Sequence, residues 1–496
     1  MGLKVTSGPT VKSVLQETYP NCFQRHPNLL SVVTEAKGER KHTLLCVDGD
    51  VMMKSMPKSV CRFDDVVRIV RARLLSCIGT AALTVVVFDE PDAVPDAKKE
   101  EQSRRDASKG GSTDVVCSPE NIPATWTDFY TMEQLRASTS VRQIAECRAS
   151  RMRLYDAVIM QVLPELASTL QRWGKKRALK QDGGSHEDAE EELPCGGAVV
   201  FDGIDRRGAS RKADEVRVAG FVASNEAVGK LLMREHAIGE GDLKLPAVRL
   251  QCAALVASGA IPPSVMAAPR PGAPRVAVCV TIDSDAYPIE LIRHGASGGA
   301  SGGASGASDG VRLALYERST QKDTPGSYLV CDIALLYQKI LQRAWGVTRA
   351  STMHLADQRA TMTLFAAAWS LCGCDFIQPF GMRVRQAESA VLNVLRGGEA
   401  RRALDAIATV WSDSSATLST SELVEAPATK ILQHITELTS REMRSAQECS
   451  RVREATLARI GDPGDAVLLR AYWVASYWNN VLHRNAAVFG FGTSST

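Results

Sequence analysis

The sequence contains no CxxC pair. Its thirteen cysteines are scattered, their number is odd, and the two nearest each other, Cys372 and Cys374, flank a single glycine. This argues against a zinc site and fits reduced thiols in an intracellular protein. No uninterrupted apolar stretch approaches the ~20 residues of a membrane span, so a membrane partner is not expected. The opening segment MGLKVTSGPTVKSV has no apolar core, so no signal peptide is expected either. An excess of one charge is also lacking. The 59 basic and 56 acidic residues leave a net charge of +3, which neither demands nor excludes nucleic acid. Lys175-Lys176-Arg177 is too short a basic run to decide between cytoplasm and nucleus. No internal repeat is visible.

What is present is an ordinary globular composition, 45% hydrophobic and 23% charged over 496 residues, enough for one large or two to three smaller domains. Residues 11–19 read as a short helix ending at Pro20. Apolar β-type runs at 43–48 and 83–88 bracket a helical periodicity at 64–78, which implies a crossover and a parallel sheet. Residues 96–107 read as a polar helix, 108–122 as a loop, 131–179 as largely helical, and 180–196 as a polar, acidic, mobile segment. Strand patterns return at 198–201, 215–222, 276–282 and 311–317, the second leading into a helix with the segment Gly239-Glu240-Gly241-Asp242. Residues 329–345 and 359–372 read as buried helices, and 382–488 as mostly helical. The expected fold class is therefore α/β, a central, mainly parallel sheet flanked by helices with a helical C-terminal region. The expected division is 1–130 and 196–395 as two parts of one core, separated by a helical and acidic insertion at 131–195. A flexible Gly/Ala/Ser insertion falls at 295–310, and a helical region at 396–496.

The acids carry the chemistry. Asp48 closes the run HTLLCV and Asp89 the run LTVVVF. In an open parallel sheet, ligands bind at the carboxyl ends of strands, so two acids there are placed to share a metal; turn or helix-capping roles are the alternatives. Glu240 and Asp242 diverge by about 200° on a helix, but at a glycine-bracketed helix start both can face one cleft. An acidic first turn ahead of Leu243 and Leu245 is the alternative. Asp283 and Asp285 follow VAVCVTI, and Asp375 follows TLFAAAWSLCGC. For Asp375 a metal, an arginine such as Arg383, or a backbone cap would each serve. Clustered carboxylates are costly unless cations neutralise them, and hard oxygen donors suit Mg²⁺ or Mn²⁺. Lys98, Gln102 and Arg105, at i, i+4 and i+7, share one face of the polar helix and could hold a terminal phosphate; a solvated charged helix is the alternative.

In order along the chain, these segments resemble the 5′→3′ exoribonucleases of the Xrn type, within the wider group that includes flap endonucleases. VLQETYP, HTLLCVDGD, VVVFDEPDAVPDAKKEEQSRRDAS, GEGDLKL, TIDSDAYPIEL, GSYLVCDIALLYQKIL and LCGCDFIQPF are similar to successive blocks of that family, over about residues 8–390. The resemblance implies hydrolysis from a 5′-monophosphate end of single-stranded RNA. Two Mg²⁺ ions would be held by Asp48, Asp89, Glu240, Asp242, Asp283, Asp285 and Asp375, and the phosphate by Lys98, Gln102 and Arg105. The chain departs from the family pattern in three places. Asp242 stands where the family has Glu, Asp106 where its last basic-helix Arg falls, and Lys54 where it has a base-stacking His. Trp473 or Trp478 could supply stacking instead. Two other functions compete: a flap-type DNA nuclease, with FGMRVRQAESAV as a degenerate duplex-gripping hairpin, and an inactive nuclease fold acting as an RNA-binding scaffold.

Overall fold

The computed structural model describes residues 9–35, 42–56, 63–89, 148–182, 197–205, 219–233, 241–266, 276–297, 310–317, 326–373, 383–408, 427 and 430–435. Its strands are β1 (Phe23–His26), β2 (Thr43–Asp48), β3 (Leu83–Val87), β4 (Ala198–Asp205), β5 (Ala219–Ala223), β6 (Val276–Thr281), β7 (Gly310–Glu317) and β8 (Ser327–Asp332). They form one sheet in the order β1-β8-β7-β6-β2-β3-β4-β5. The middle five, β7-β6-β2-β3-β4, run parallel; β8 pairs antiparallel with β7 and β1, and β5 antiparallel with β4. The expected α/β class and mainly parallel sheet are thus present.

The central strands are mostly apolar and buried along their whole length because helices cover both faces. Every residue of β2, β3, β4 and β6 is buried. Alternate residues of a strand enter different layers, as the two-residue period requires. Leu44, Cys46, Val85, Val200 and Cys279 pack into one core; Leu45, Val47, Val86, Phe201 and Val278 pack into the other. The second core is closed by α2 (Leu29–Glu35), α3 (Gly49–Lys54), α4 (Phe63–Thr80) and α5 (Arg148–Asp182). The first is closed by α1 (Val11–Thr18), α6 (Glu226–Met233), α7 (Gly241–Ala257), α8 (Ala286–Ser297) and α9 (Ile333–Trp345). Beyond the short α10 (Val347–Thr352), α11 (Leu355–Leu371), α12 (Val384–Arg396) and α13 (Ala400–Ala408) extend that layer as a helical C-terminal region.

The chain order fixes where a ligand can enter. From β2 the sheet grows outward through β3 and β4 with α4 and α5 on one face. It then returns to the other flank of β2 through β6, with α7 and α8 on the opposite face. The reversal between β2 and β6 is a topological switch point, and in open parallel sheets ligands bind outside the carboxyl ends of the strands at such a point.

Several elements differ from the sequence reading. Residues 329–345 are not one helix: β8 occupies 327–332, and α9 starts at Ile333 with Asp332 as its cap, whose Oδ1 accepts the Leu335 N–H at 3.0 Å. The apolar run continues through the junction, so only that Asp marks the change. The strand expected at 215–222 is described at 219–223, and α6 intervenes between it and α7. The helix α5 runs to Asp182, into the segment expected to be mobile, and α8 runs to Ser297, into the Gly/Ala/Ser insertion. Both parts of the expected core contribute strands to a single sheet. The polar helix at 96–107, the loop at 108–122 and the aromatic segment around Trp473 and Trp478 lie outside the described residues. Among the described residues no helix is long and apolar enough to cross a membrane.

Candidate functional site

Asp48 is the last residue of β2 and the N-cap of α3. Its Oδ1 accepts the Asp50 N–H at 2.9 Å and its Oδ2 the Thr281 hydroxyl at 3.2 Å. Asp89 lies two residues beyond β3, the strand paired with β2. Its Oδ1 accepts the backbone N–H of Gly241, the first residue of α7, at 2.8 Å. A Cβ on Gly241 would stand 3.3 Å from Asp48 Oδ1 and 3.4 Å from Asp89 Oδ1. The missing side chain therefore lets two carboxylates from neighbouring strands approach one point at a helix N-terminus, whose partial positive charge favours them.

Asp283 and Asp285 lie between β6 and α8. The Asp283 N–H donates to Thr281 Oγ1 at 3.1 Å, and the Asp285 N–H to Asp283 Oδ1 at 3.2 Å. Thr281 thus links the two strand ends, its hydroxyl donating to Asp48 while its oxygen accepts from Asp283. Asp48 and Asp283 are each 8% exposed and Asp285 4%. Four of the seven expected acids accordingly lie at the carboxyl edge of three adjacent parallel strands. Glu240, the side chain of Asp242, and Asp375 lie outside the described residues, as do Lys98, Gln102 and Arg105.

The donors that converge are carboxylate oxygens, chemistry that suits a hard divalent cation. Among the described residues, however, no three acidic, imidazole or thiol side chains gather closely enough to form a metal-holding group. One oxygen of Asp48 and one of Asp283 are turned into backbone caps. Asp48 Oδ1 and Asp89 Oδ1 both approach Gly241.

Four residues at this edge were not singled out by the sequence. Asp202, in β4, is fully buried against Lys244 of α7, also fully buried, with Nζ 3.2 Å from Asp202 Oδ2. Lys244 Nζ also donates to the carbonyl of Phe88 at 3.0 Å. On the opposite face Asp50 accepts the hydroxyl of Tyr155 from α5. The backbone makes room for the Lys244 contact with a bulge in β4. Gly203 has φ +80°, and a Cβ there would lie 2.6 Å from the Phe88 carbonyl oxygen. Behind the acids, α7 and α8 are joined by a buried ion pair, Arg249 Nη2 to Glu290 Oε2 at 3.0 Å. Burial, and secondarily the Arg249 charge, pushes nearby His294 down to about 4; burial pushes Arg293 down to about 10.

Fold and site together define a class: an α/β protein with carboxylates gathered where parallel strands end at a topological switch point. No protein-family model matches the chain, and no curated protein matches it.

Proposed function

We propose that the chain is a metal-dependent 5′→3′ exoribonuclease acting on 5′-monophosphorylated single-stranded RNA. One observation carries the reading: carboxylate oxygens of Asp48 and Asp89, from neighbouring parallel strands, both approach Gly241 at the start of α7. The resemblance of the ordered sequence blocks to Xrn-type enzymes supplies the substrate class.

Asp48, Asp89, Asp283 and Asp285, with Glu240, Asp242 and Asp375, would hold two Mg²⁺ ions, Mn²⁺ substituting. Such ions, when bound, supply charge neutralisation and an activated water for phosphodiester hydrolysis. The chain's own groups orient the ligands. The Gly241 N–H holds one oxygen of Asp89. The Thr281 hydroxyl and the Asp50 N–H fix Asp48 through both of its oxygens. The N-terminal ends of α7 and α8 bring positive partial charge to the same edge and lower the repulsion among the acids before any cation arrives. Lys98, Gln102 and Arg105 would grip the 5′-phosphate through charge-assisted hydrogen bonds.

The deciding experiment incubates purified protein and Mg²⁺ with 5′-monophosphorylated single-stranded RNA, its 5′-hydroxyl twin and a DNA flap. Preferential loss of the phosphorylated RNA is expected. Flap cutting alone assigns the chain to the DNA-directed class. Binding without turnover, unchanged in Asp89→Ala, assigns it to a scaffold.

A further inference from the structure

We propose that Lys244 is a positioning residue for the acidic site, tying the strand end that carries Asp89 to the first turn of α7; this rests on the reading of that site as a divalent-cation centre. Lys244, Phe88 and Asp202 form a closed ring of interactions. The Phe88 N–H donates to the Asp202 carbonyl at 2.9 Å, the Phe88 carbonyl accepts from Lys244 Nζ at 3.0 Å, and that ammonium sits 3.2 Å from Asp202 Oδ2. Phe88 immediately precedes Asp89, and Lys244 lies one helical turn after Gly241, whose N–H holds Asp89. The same two segments are therefore clamped twice, once by a side-chain cation and once through the carboxylate itself.

An ammonium and a carboxylate with no exposed surface are an expensive way to join three elements. A well-packed apolar pair often does so at equal or greater stability. What an apolar pair does not provide is a directional bond to the Phe88 carbonyl. Lys244 provides it, holding the carbonyl adjoining Asp89 in one orientation. Groups that orient a metal ligand from behind commonly govern affinity by 10–100-fold.

The test is Mn²⁺ binding followed by electron paramagnetic resonance, with the full chain and no RNA present. Unmodified protein, Asp89→Asn, and the double variant Lys244→Met/Asp202→Leu are compared, each with a thermal melt in chelator. The double variant removes both buried charges together, so its melting temperature stays close to the original. Its Mn²⁺ affinity is expected to fall about tenfold or more, while the KM for RNA at saturating Mn²⁺ is unchanged. A folded double variant that binds Mn²⁺ as the original does overturns the role of Lys244 and leaves the cation centre standing, provided Asp89→Asn weakens binding. Unmodified protein that binds no Mn²⁺ overturns both. Should the double variant not fold, Lys244→Met/Asp202→Asn, which removes the bond to the Phe88 carbonyl and keeps the shape of Asp202, is expected to show the same roughly tenfold weakening; unchanged affinity there overturns the inference.

Discussion

The hydroxyl of Thr281 donates to Asp48 Oδ2 at 3.2 Å across 233 residues of chain, joining the ends of two parallel strands that meet at the switch point of the sheet. Through its oxygen the same hydroxyl accepts the Asp283 N–H at 3.1 Å. A β-branched residue suits the last position of a buried strand, but Val would pack equally well there. The hydroxyl is what couples one acidic motif to the other.

Thr281→Val keeps the shape and removes both bonds. The buried Asp283 N–H then loses its acceptor, and stability is expected to fall by about 1–3 kcal/mol. Thr281→Ser retains the hydroxyl and should recover most of the loss. Urea unfolding of the three proteins measures this; a Val variant as stable as the original would mean that Asp283 finds another partner at no cost.

Asp89→Asn should separate charge from hydrogen bonding. Its amide oxygen can still accept the Gly241 N–H, while repulsion between carboxylates is relieved. Melting temperature in chelator is expected to stay level or rise, and RNA cleavage to disappear. Asp89→Ala removes the acceptor as well and should cost about 1 kcal/mol. Mg²⁺ should raise the melting temperature of the original protein and not that of Asp89→Asn, since a ligand bound at 100 times its Kd adds about 2.7 kcal/mol. A metal-induced rise of equal size in both proteins would place the ion elsewhere.

Much of this arrangement was legible from the residues, and the reasons are local. HTLLCV and LTVVVF are largely apolar runs of strand length, and each is followed by an Asp that the fold turns toward the same edge. Asp202 follows AVVF in the same way and was open to the same argument, although β4 continues past it through the Gly203 bulge. Lys244 was not legible as a buried group, because a lysine among leucines on a helix is ordinarily a solvated one. The β8–α9 junction reads as one helix in the sequence because Leu329 to Leu336 stays apolar apart from Asp332. Pairs such as Arg249 and Glu290 depend on how two helices pack, and no periodicity in either helix specifies that. The short β1, four residues with a polar centre, falls below the length at which alternation can be recognised.

The Arg249–Glu290 pair should behave asymmetrically. Both side chains are almost fully buried where α7 meets α8, the two helices that begin beside the acids. Glu290→Ala leaves a buried guanidinium without its carboxylate and is expected to cost about 3–5 kcal/mol. Arg249→Met/Glu290→Leu removes both charges and should be far less destabilising than either single change, and a double-mutant cycle by chemical denaturation reads the difference. Additive losses would mean that the two charges do not interact.

His294 makes stability depend on pH in a defined window. Desolvation, and secondarily the positive charge of Arg249, pushes its pKa down to about 4, against an ordinary value of 6.5. Between these values the unfolded chain binds a proton that the folded chain does not, so acidification favours unfolding. The sign is that of a depressed pKa: the contribution is intact above about pH 6.5, falls as pH drops through the window, and is fully lost below about pH 4. A shift of this size corresponds to about 3 kcal/mol at most. The His294 ring packs edge-on against Tyr337, with centroids 5.1 Å apart. His294→Phe therefore keeps an aromatic contact and removes the titration. Unfolding free energy measured by denaturant from pH 7.5 to 4 should decline less steeply in His294→Phe than in the original protein, the two curves converging in slope above pH 6.5. Parallel curves across the whole range would show that His294 titrates in the folded state as it does in the unfolded chain.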